Sequence, residues 1–312
     1  MGDRHSFCKM EHYYSLNSYY RKAFGGKVYK LALDGGFTCP NRDGTIDTRG
    51  CIFCSAGGSG EFAEPVSESI RAQIEAAKER VSKKAKDVVG YIAYFQSYTN
   101  TYGDIDRLRK LFTEAVDCAD VVGLSIATRP DCLGDAVIGL LADLNQRMPV
   151  FVELGLQTIH EETAELIRRG YGLSVYDDAV KRLKEAGLNV VVHIIFGLPN
   201  ETPDMMLETV KHVGKSGADG IKLQLLHVLD GTDIANMYKE GALHVFEEDA
   251  YLNLVCDAIE HLPPHMVIHR VTGDGPKRLL LAPLWSANKR EVLNRLRDLM
   301  DDRHIQQGSK YE

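Results

Sequence analysis

Val121-Val122-Gly123-Leu124-Ser125-Ile126-Ala127, a helical stretch over 133–147, and Val150-Phe151-Val152-Glu153-Leu154-Gly155-Leu156 together decide the fold. Both flanking segments are apolar at nearly every position. A strand wetted on one face alternates; one covered on both faces does not. Unbroken apolar runs of this length therefore mark a parallel sheet buried between layers. The helix between them supplies the long connection that parallel strands need. The unit recurs in both directions. Residues 27–33, 88–95, 189–196 and 220–226 read as strands, and 67–85, 104–118, 160–168, 174–186 and 203–217 as helices. Six βα units result, which build either a doubly wound sheet or a barrel.

A barrel concentrates its chemistry at the C-terminal ends of the strands. Polar segments do follow the strands: Gln96-Ser97-Tyr98-Thr99-Asn100, Thr128-Arg129-Pro130-Asp131, Gln157-Thr158 and Gly197-Leu198-Pro199-Asn200-Glu201-Thr202. A doubly wound sheet puts loops there too, so closure stays open at this level. Beyond residue 228 the alternation changes to helices over 232–240 and 247–261, a short strand at 266–270 and a charged helix over 286–303. The expected organisation is an N-terminal extension (1–26), a barrel (27–230) and a small α/β C-terminal extension (231–312) that is a candidate substrate-binding region.

The chain has 312 residues, 44% hydrophobic and 26% charged, an ordinary globular balance. A net charge of −7 excludes an overall cationic coat for nucleic acid but leaves room for a local basic patch. No apolar run approaches the roughly 18 residues of a membrane span, and the N-terminus lacks the core of a signal peptide. A cytoplasmic protein with no membrane partner is expected. In that setting seven cysteines point to metal binding rather than disulfides.

Three of them, Cys39, Cys51 and Cys54, fall in the loop after the first strand, with eleven residues between the first pair and two between the second. Soft thiolates select zinc, copper(I) or iron–sulfur clusters. A structural zinc site closes with four protein ligands. Here the next candidates are Cys118 and His160, far along the chain. A cubane cluster held by three cysteines keeps one iron open. Cys8 can in principle close a fourth position. Cys118, Cys132 and Cys256 lie in apolar segments and read as core thiols.

The cysteine loop after the first strand, with Phe53 just before Cys54, resembles the radical S-adenosylmethionine (SAM) superfamily. The resemblance implies a partial (β/α)6 barrel of TIM type. It also implies a [4Fe–4S] cluster on Cys39, Cys51 and Cys54, and SAM chelated by the open iron and cleaved to a 5′-deoxyadenosyl radical. The long first gap is similar to the subgroup of the Elongator catalytic subunit. So are Thr128-Arg129-Pro130-Asp131, Glu153-Leu154-Gly155-Leu156-Gln157-Thr158, Arg169-Gly170-Tyr171 and Gly197-Leu198-Pro199-Asn200-Glu201-Thr202. By that resemblance Phe53, Gln96, Glu153, Gln157, Arg169, Gly197 and Leu198 bind the cofactor, Arg169 through the methionine carboxylate. Glu153 and Gln157 share one strand face. A charge in an apolar strand needs a partner, which for Glu153 is either a salt bridge inside the barrel or SAM. His193 is either a core residue or faces the lumen.

The implied activity is modification of the tRNA wobble uridine, 5-carboxymethylaminomethyluridine to 5-aminomethyluridine. A flavodoxin or ferredoxin is the implied electron donor. The resemblance stops short of a C-terminal acetyltransferase domain, so acetyl transfer is not expected. A radical SAM enzyme acting on a small molecule or protein shares every motif above, and a non-catalytic metal-binding module shares the cysteines. Two segments bear on RNA. One is the tyrosine- and lysine-rich stretch 13–30, which suits base stacking or packing on the barrel. The other is the glycine-rich, basic run 272–278 with Trp285 and Lys289-Arg290, which suits a phosphate or a plain turn.

Overall fold

The computed structural model describes residues 11–58, 60–67, 69–83, 85–273 and 275–312. Cys8 and Asp274 of the glycine-rich run lie outside them. A helix, α1 (Leu16–Phe24), precedes six strands and the helices between them: β1 (Lys27–Leu33), α2 (Ile70–Ser82), β2 (Val88–Phe95), α3 (Ile105–Val116), β3 (Val121–Thr128), α4 (Asp135–Asn145), β4 (Val150–Gln157), α5 (Glu161–Leu166), α6 (Leu173–Glu185), β5 (Asn189–Phe196), α7 (Pro203–Lys215) and β6 (Gly220–Leu225). Every expected βα unit is present. Helix ends carry the expected caps: Thr202 accepts from the Met205 amide at the start of α7, with Pro203 in its first turn.

The chain continues through β7 (Val228–Leu229), α8 (Asp233–Lys239), α9 (Glu248–His261), β8 (Val267–Arg270), β9 (Leu280–Ala282) and α10 (Lys289–Asp302). β8 pairs in parallel with β6, so the sheet reads β1-β2-β3-β4-β5-β6-β8. The barrel is therefore partial, as expected, with a seventh strand from beyond residue 231. α1 packs against both β1 and β8, and Ser15 bridges Ile268, so the segment entering α1 spans the gap between the outer strands. β7 and β9 form a separate antiparallel pair. Among the described residues no helix is long and apolar enough to cross a membrane.

Alternation along the strands sorts the side chains into two sets. Leu31, Leu33, Phe95, Leu124, Val152, Leu154, Val192, Ile194 and Leu223 are buried under the helices. The other parity faces inward. At the N-terminal end of the barrel Val28, Ile92, Phe151 and Val191 gather with Tyr20 of α1, which is 4% exposed. Tyr19 meets Phe151 edge-on at 6.1 Å, and Tyr20 meets Phe24 at 5.7 Å. α1 thus plugs the barrel. Burying such a ring stabilises by about 2 kcal/mol, and this decides the reading of stretch 13–30: Tyr19 and Tyr20 pack, and Lys30 turns into the barrel to Glu153.

Candidate active site

Above the plug the inward residues turn polar, which an apolar barrel permits only where they satisfy one another. Glu153 sits mid-barrel with no exposure. One carboxylate oxygen accepts from Lys30 and from Ser125 Oγ at 2.6 Å. The other accepts from Lys222 and from His193 Nε2 at 2.7 Å. The structure thus gives Glu153 the salt-bridge partners. Burial alone would raise its pKa, but Lys222, Lys30 and His193 outweigh burial and hold it well below the ordinary carboxylate range. Lys222 Nζ also lies 3.4 Å from the Tyr94 hydroxyl.

His193 faces the lumen. Burial and the Lys222 charge push its pKa down to about 4 against the Glu153 contact. The imidazole is then neutral at pH 7, its Nε2–H donating to Glu153 and its Nδ1 accepting from Gln224 Nε2 at 3.4 Å. Between about pH 4 and the ordinary 6.5 the unfolded chain binds a proton at His193 that the folded chain refuses, so stability falls as pH falls through that window. His193→Gln keeps a donor to Glu153 and removes this contribution. Urea midpoints from pH 7 to pH 4.5 are expected to fall less steeply in the variant; parallel slopes would contradict the assignment.

Over this floor opens a cavity of about 990 Å³ at the C-terminal ends of the strands. Cys39, Cys51 and Cys54 line it together. The eleven-residue gap is explained by the path of the loop. Ile46 N–H donates to the Pro40 carbonyl at 2.8 Å and Gly50 N–H to the Asn41 carbonyl at 2.7 Å, so the insertion folds back on itself and returns Cys51 to the cavity. Gly50 has φ 76°, and a Cβ there would stand 2.9 Å from Arg42 Nε. A side chain is excluded twice. A turn closed from Cys54 N–H to the Cys51 carbonyl at 3.0 Å sets the last two cysteines. Arg42 donates to the Cys54 and Ser55 carbonyls at 2.9 and 2.6 Å.

The loop docks on the segment after α5. Asn41 Nδ2 donates to the Arg168 carbonyl at 2.6 Å and lies 3.5 Å from Cys51 Sγ; Arg168 Nε donates to the Gly50 carbonyl at 2.8 Å. Arg168 takes a left-handed φ of 57° to do so. Arg169 lines the cavity, but most of its hydrogen-bonding capacity is already taken by the protein. Its guanidinium is 2% exposed and makes four hydrogen bonds: to the Tyr171 (2.9 Å), Leu156 (3.3 Å) and Thr158 (2.5 Å) carbonyls and the Glu161 carboxylate (3.1 Å). One of its five N–H groups is left. The Arg-Gly-aromatic segment is thus a brace for the cysteine loop.

The donor set fits an iron–sulfur cluster. Burial pushes the Cys51 thiol up to about 11, with the neighbouring Cys54 adding to it, and raises Cys54 as well. Such thiols ionise when a cation binds and releases their protons. Among the described residues no three His, Cys, Asp or Glu side chains converge on a point fit for one ion. Ligands of a cluster need not converge, because each takes a different iron. Opposite the cysteines, Gln157 ends β4 at a left-handed φ of 70°. Its Oε1 is buried on the cavity wall with no hydrogen-bond partner, an acceptor still to be satisfied. Gln96 and Phe53 line the same cavity, Phe53 from the cysteine loop itself. Gly197 and Leu198 lie behind it: a Cβ on Gly197 would face the Phe246 ring at 3.2 Å, and Leu198 packs with Ile52 and Ile167.

Sequence reasoning passed over Tyr94, Lys222 and Gln224 and gave Arg129 no role beyond its motif; all four line the cavity. Lys222 and Gln224 did carry a signal, two polar residues at positions of equal parity in an apolar strand, as Glu153 and Gln157 are in theirs. Cys118 and Cys256 are buried core thiols. Cys132 is instead half-buried in the turn after β3, 3.9 Å from Asp131.

Residues 47–213 match the family model described as the Radical SAM superfamily, and residues 218–302 the Radical_SAM C-terminal domain. YtqA of Bacillus subtilis (strain 168) is 48% identical over 300 residues, covering 96% of this chain and 93% of that protein. A tRNA uridine(34) acetyltransferase of Dehalococcoides mccartyi (strain CBDB1) is 32% identical over 186 residues, which is 59% of this chain and 39% of that one. The archaeal Methanocaldococcus infernus Elp3 superposes with a TM-score of 0.68 at 18% identity, over 90% of this chain and 64% of the archaeal one; the fold is shared, and this chain spans just under two thirds of that length. The chain belongs to the radical SAM superfamily, among the relatives of the Elongator catalytic subunit, and is an enzyme whose cofactors are a [4Fe–4S] cluster and SAM.

Proposed function

We propose that the enzyme modifies the wobble uridine of tRNA, converting 5-carboxymethylaminomethyluridine to 5-aminomethyluridine. One observation carries this reading: a chain of net charge −7 surrounds its cavity with positive charge. Arg42, Arg129, Lys222, Arg270, Lys277 and Arg290 all line it, against the carboxylates of Glu61 and Glu153. Lys277 and Arg290 stand exposed at the mouth, where phosphates of a docked RNA would lie. The uridine must leave its stack to reach the floor, as bases do in enzymes that act on them. The Dehalococcoides relative named for tRNA uridine 34 supports the same substrate.

In this reading Cys39, Cys51 and Cys54 hold the cluster, and Phe53, Gln96 and the unsatisfied Gln157 oxygen face SAM. When bound, cluster and SAM supply a 5′-deoxyadenosyl radical, the hydrogen-abstracting agent. The substrate carbon between nitrogen and carboxylate loses one hydrogen atom and one electron. The resulting C=N bond is cleaved by water to 5-aminomethyluridine and glyoxylate. The hydrogen atom and electron lost are those that reductive SAM cleavage takes up, so the conversion balances without another oxidant. A flavodoxin- or ferredoxin-type donor in the cytoplasm would start it.

The test is nucleoside mass spectrometry of tRNA from a strain lacking the gene. The carboxymethylaminomethyl form is expected to accumulate and the aminomethyl-derived forms to vanish. An unchanged wobble profile would point to a small-molecule or protein substrate instead.

A further inference from the structure

A second pocket, of about 570 Å³, opens beside the mouth of the main cavity. Lys277, Ala287 and Asn288 line both, so the two are continuous. The other walls are Glu248, Leu284, Trp285 and Glu291. Leu284 is 69% exposed, an apolar side chain held out to solvent at a polar rim. Trp285 beside it is fixed in place. Its indole N–H donates to the Phe246 carbonyl at 2.9 Å, and its ring lies 5.6 Å from that of Tyr251. Together they offer apolar surface to the face of a flat ligand. Glu248 serves the edge. One of its carboxylate oxygens accepts from Arg295; the other is buried, with no hydrogen-bond partner among the described residues. A buried acceptor in that state calls for a donor.

The ligand chemistry follows from these walls. The carboxylates of Glu248 and Glu291 oppose a phosphate inside the pocket. A flat body with an N–H on its edge covers Leu284 and satisfies the Glu248 oxygen, and a nucleobase is such a body. Continuity with the main cavity says which base. When the wobble uridine leaves its stack, the next nucleotide in the strand loses a stacking partner. Bases of single-stranded RNA are held in that state by stacking on side chains and by hydrogen bonds to their edges. We infer that the pocket of Glu248, Leu284 and Trp285 receives the base of a nucleotide adjoining the wobble uridine. This rests on the tRNA reading. The base lies against Leu284 and Trp285 and donates an N–H to Glu248, while Lys277, exposed on the shared rim, serves the phosphate between the two nucleotides. The pocket thereby holds the strand splayed while the uridine is in the cavity.

The test uses tRNA carrying 5-carboxymethylaminomethyluridine in three forms: intact, abasic on the 5′ side of the wobble position, and abasic on the 3′ side. Each is titrated against the reconstituted holoenzyme without reductant. For the native chain one of the abasic forms is expected to bind about fivefold or more weakly than the intact tRNA, the lower end of what stacking one base contributes. Two variants are compared. Leu284→Ser changes a solvent-facing position, and Glu248→Ala leaves Arg295 its pairing with Asp249. Each is expected to shrink the abasic penalty, with SAM affinity unchanged. Native binding that neither abasic site weakens, or a penalty that stays whole in either variant, would overturn the inference and leave the tRNA reading intact. If intact tRNA does not bind the native chain, the tRNA reading falls and the inference with it.

Discussion

Cys39→Ala is expected to yield a folded chain that takes up no [4Fe–4S] cluster on anaerobic reconstitution and releases 5′-deoxyadenosine at background. The reason lies in the open site. Three thiols line the cavity, so removing one leaves two, fewer than such a cluster needs to stay anchored. Cys51→Ala and Cys54→Ala are expected to behave alike. Cys256→Ala is the control, because that thiol is fully buried in α9 among the core residues. The visible absorption of the cluster and chromatography of the nucleoside product are the measurements. A Cys39→Ala protein that kept full cluster absorption and turnover would remove Cys39 from the ligand set.

Glu153→Gln carries the largest expected cost in stability. The glutamine fits the space but leaves Lys30 and Lys222 without their counter-charge in a site of no exposure. Breaking a buried pair from one side costs about 3–5 kcal/mol, and the variant is expected at the lower end because Lys222 can shed its proton. Denaturant unfolding of both proteins measures the loss. Adding Lys222→Met to Glu153→Gln is expected to restore part of it, since the two residues touch and their effects are not additive. A loss below about 1 kcal/mol, the range of exposed pairs, would mean that water reaches the cluster of charges.

The parallel sheet was legible because β3, β4 and β5 are apolar on both faces, and a βαβ chain has few ways to bury such strands. The pairing of β8 was not: residues 266–270 read as a strand, but no local signal says that Val267 lies beside Gly220. α1 was ambiguous because a stripe of tyrosines suits a base stack as well as a barrel interior; only the partners, Phe151 and Phe24, separate the two. β7 and β9, two and three residues long, are too short for any period to show.

In the site, the cysteines were legible by spacing, and Glu153 and Gln157 by parity. The floor was not, because it depends on register across strands. Lys30, Glu153 and Lys222 are far apart in sequence and meet only when β1, β4 and β6 curl around one lumen. The partners of Arg169, which does line the cavity, were hidden for a related reason. An arginine after a short helix reads as a free fork, and the carbonyls that occupy it come from the end of β4.

The most direct measurement uses tRNA in which the carboxymethyl carbon of the wobble nucleoside carries deuterium. Reconstituted enzyme, SAM and reductant are added, and the nucleosides are analysed by mass spectrometry. Deuterium is expected in 5′-deoxyadenosine, with 5-aminomethyluridine and glyoxylate formed in equal amounts. Unlabelled 5′-deoxyadenosine alongside an untouched wobble uridine would contradict the proposed substrate and place the radical chemistry on another molecule.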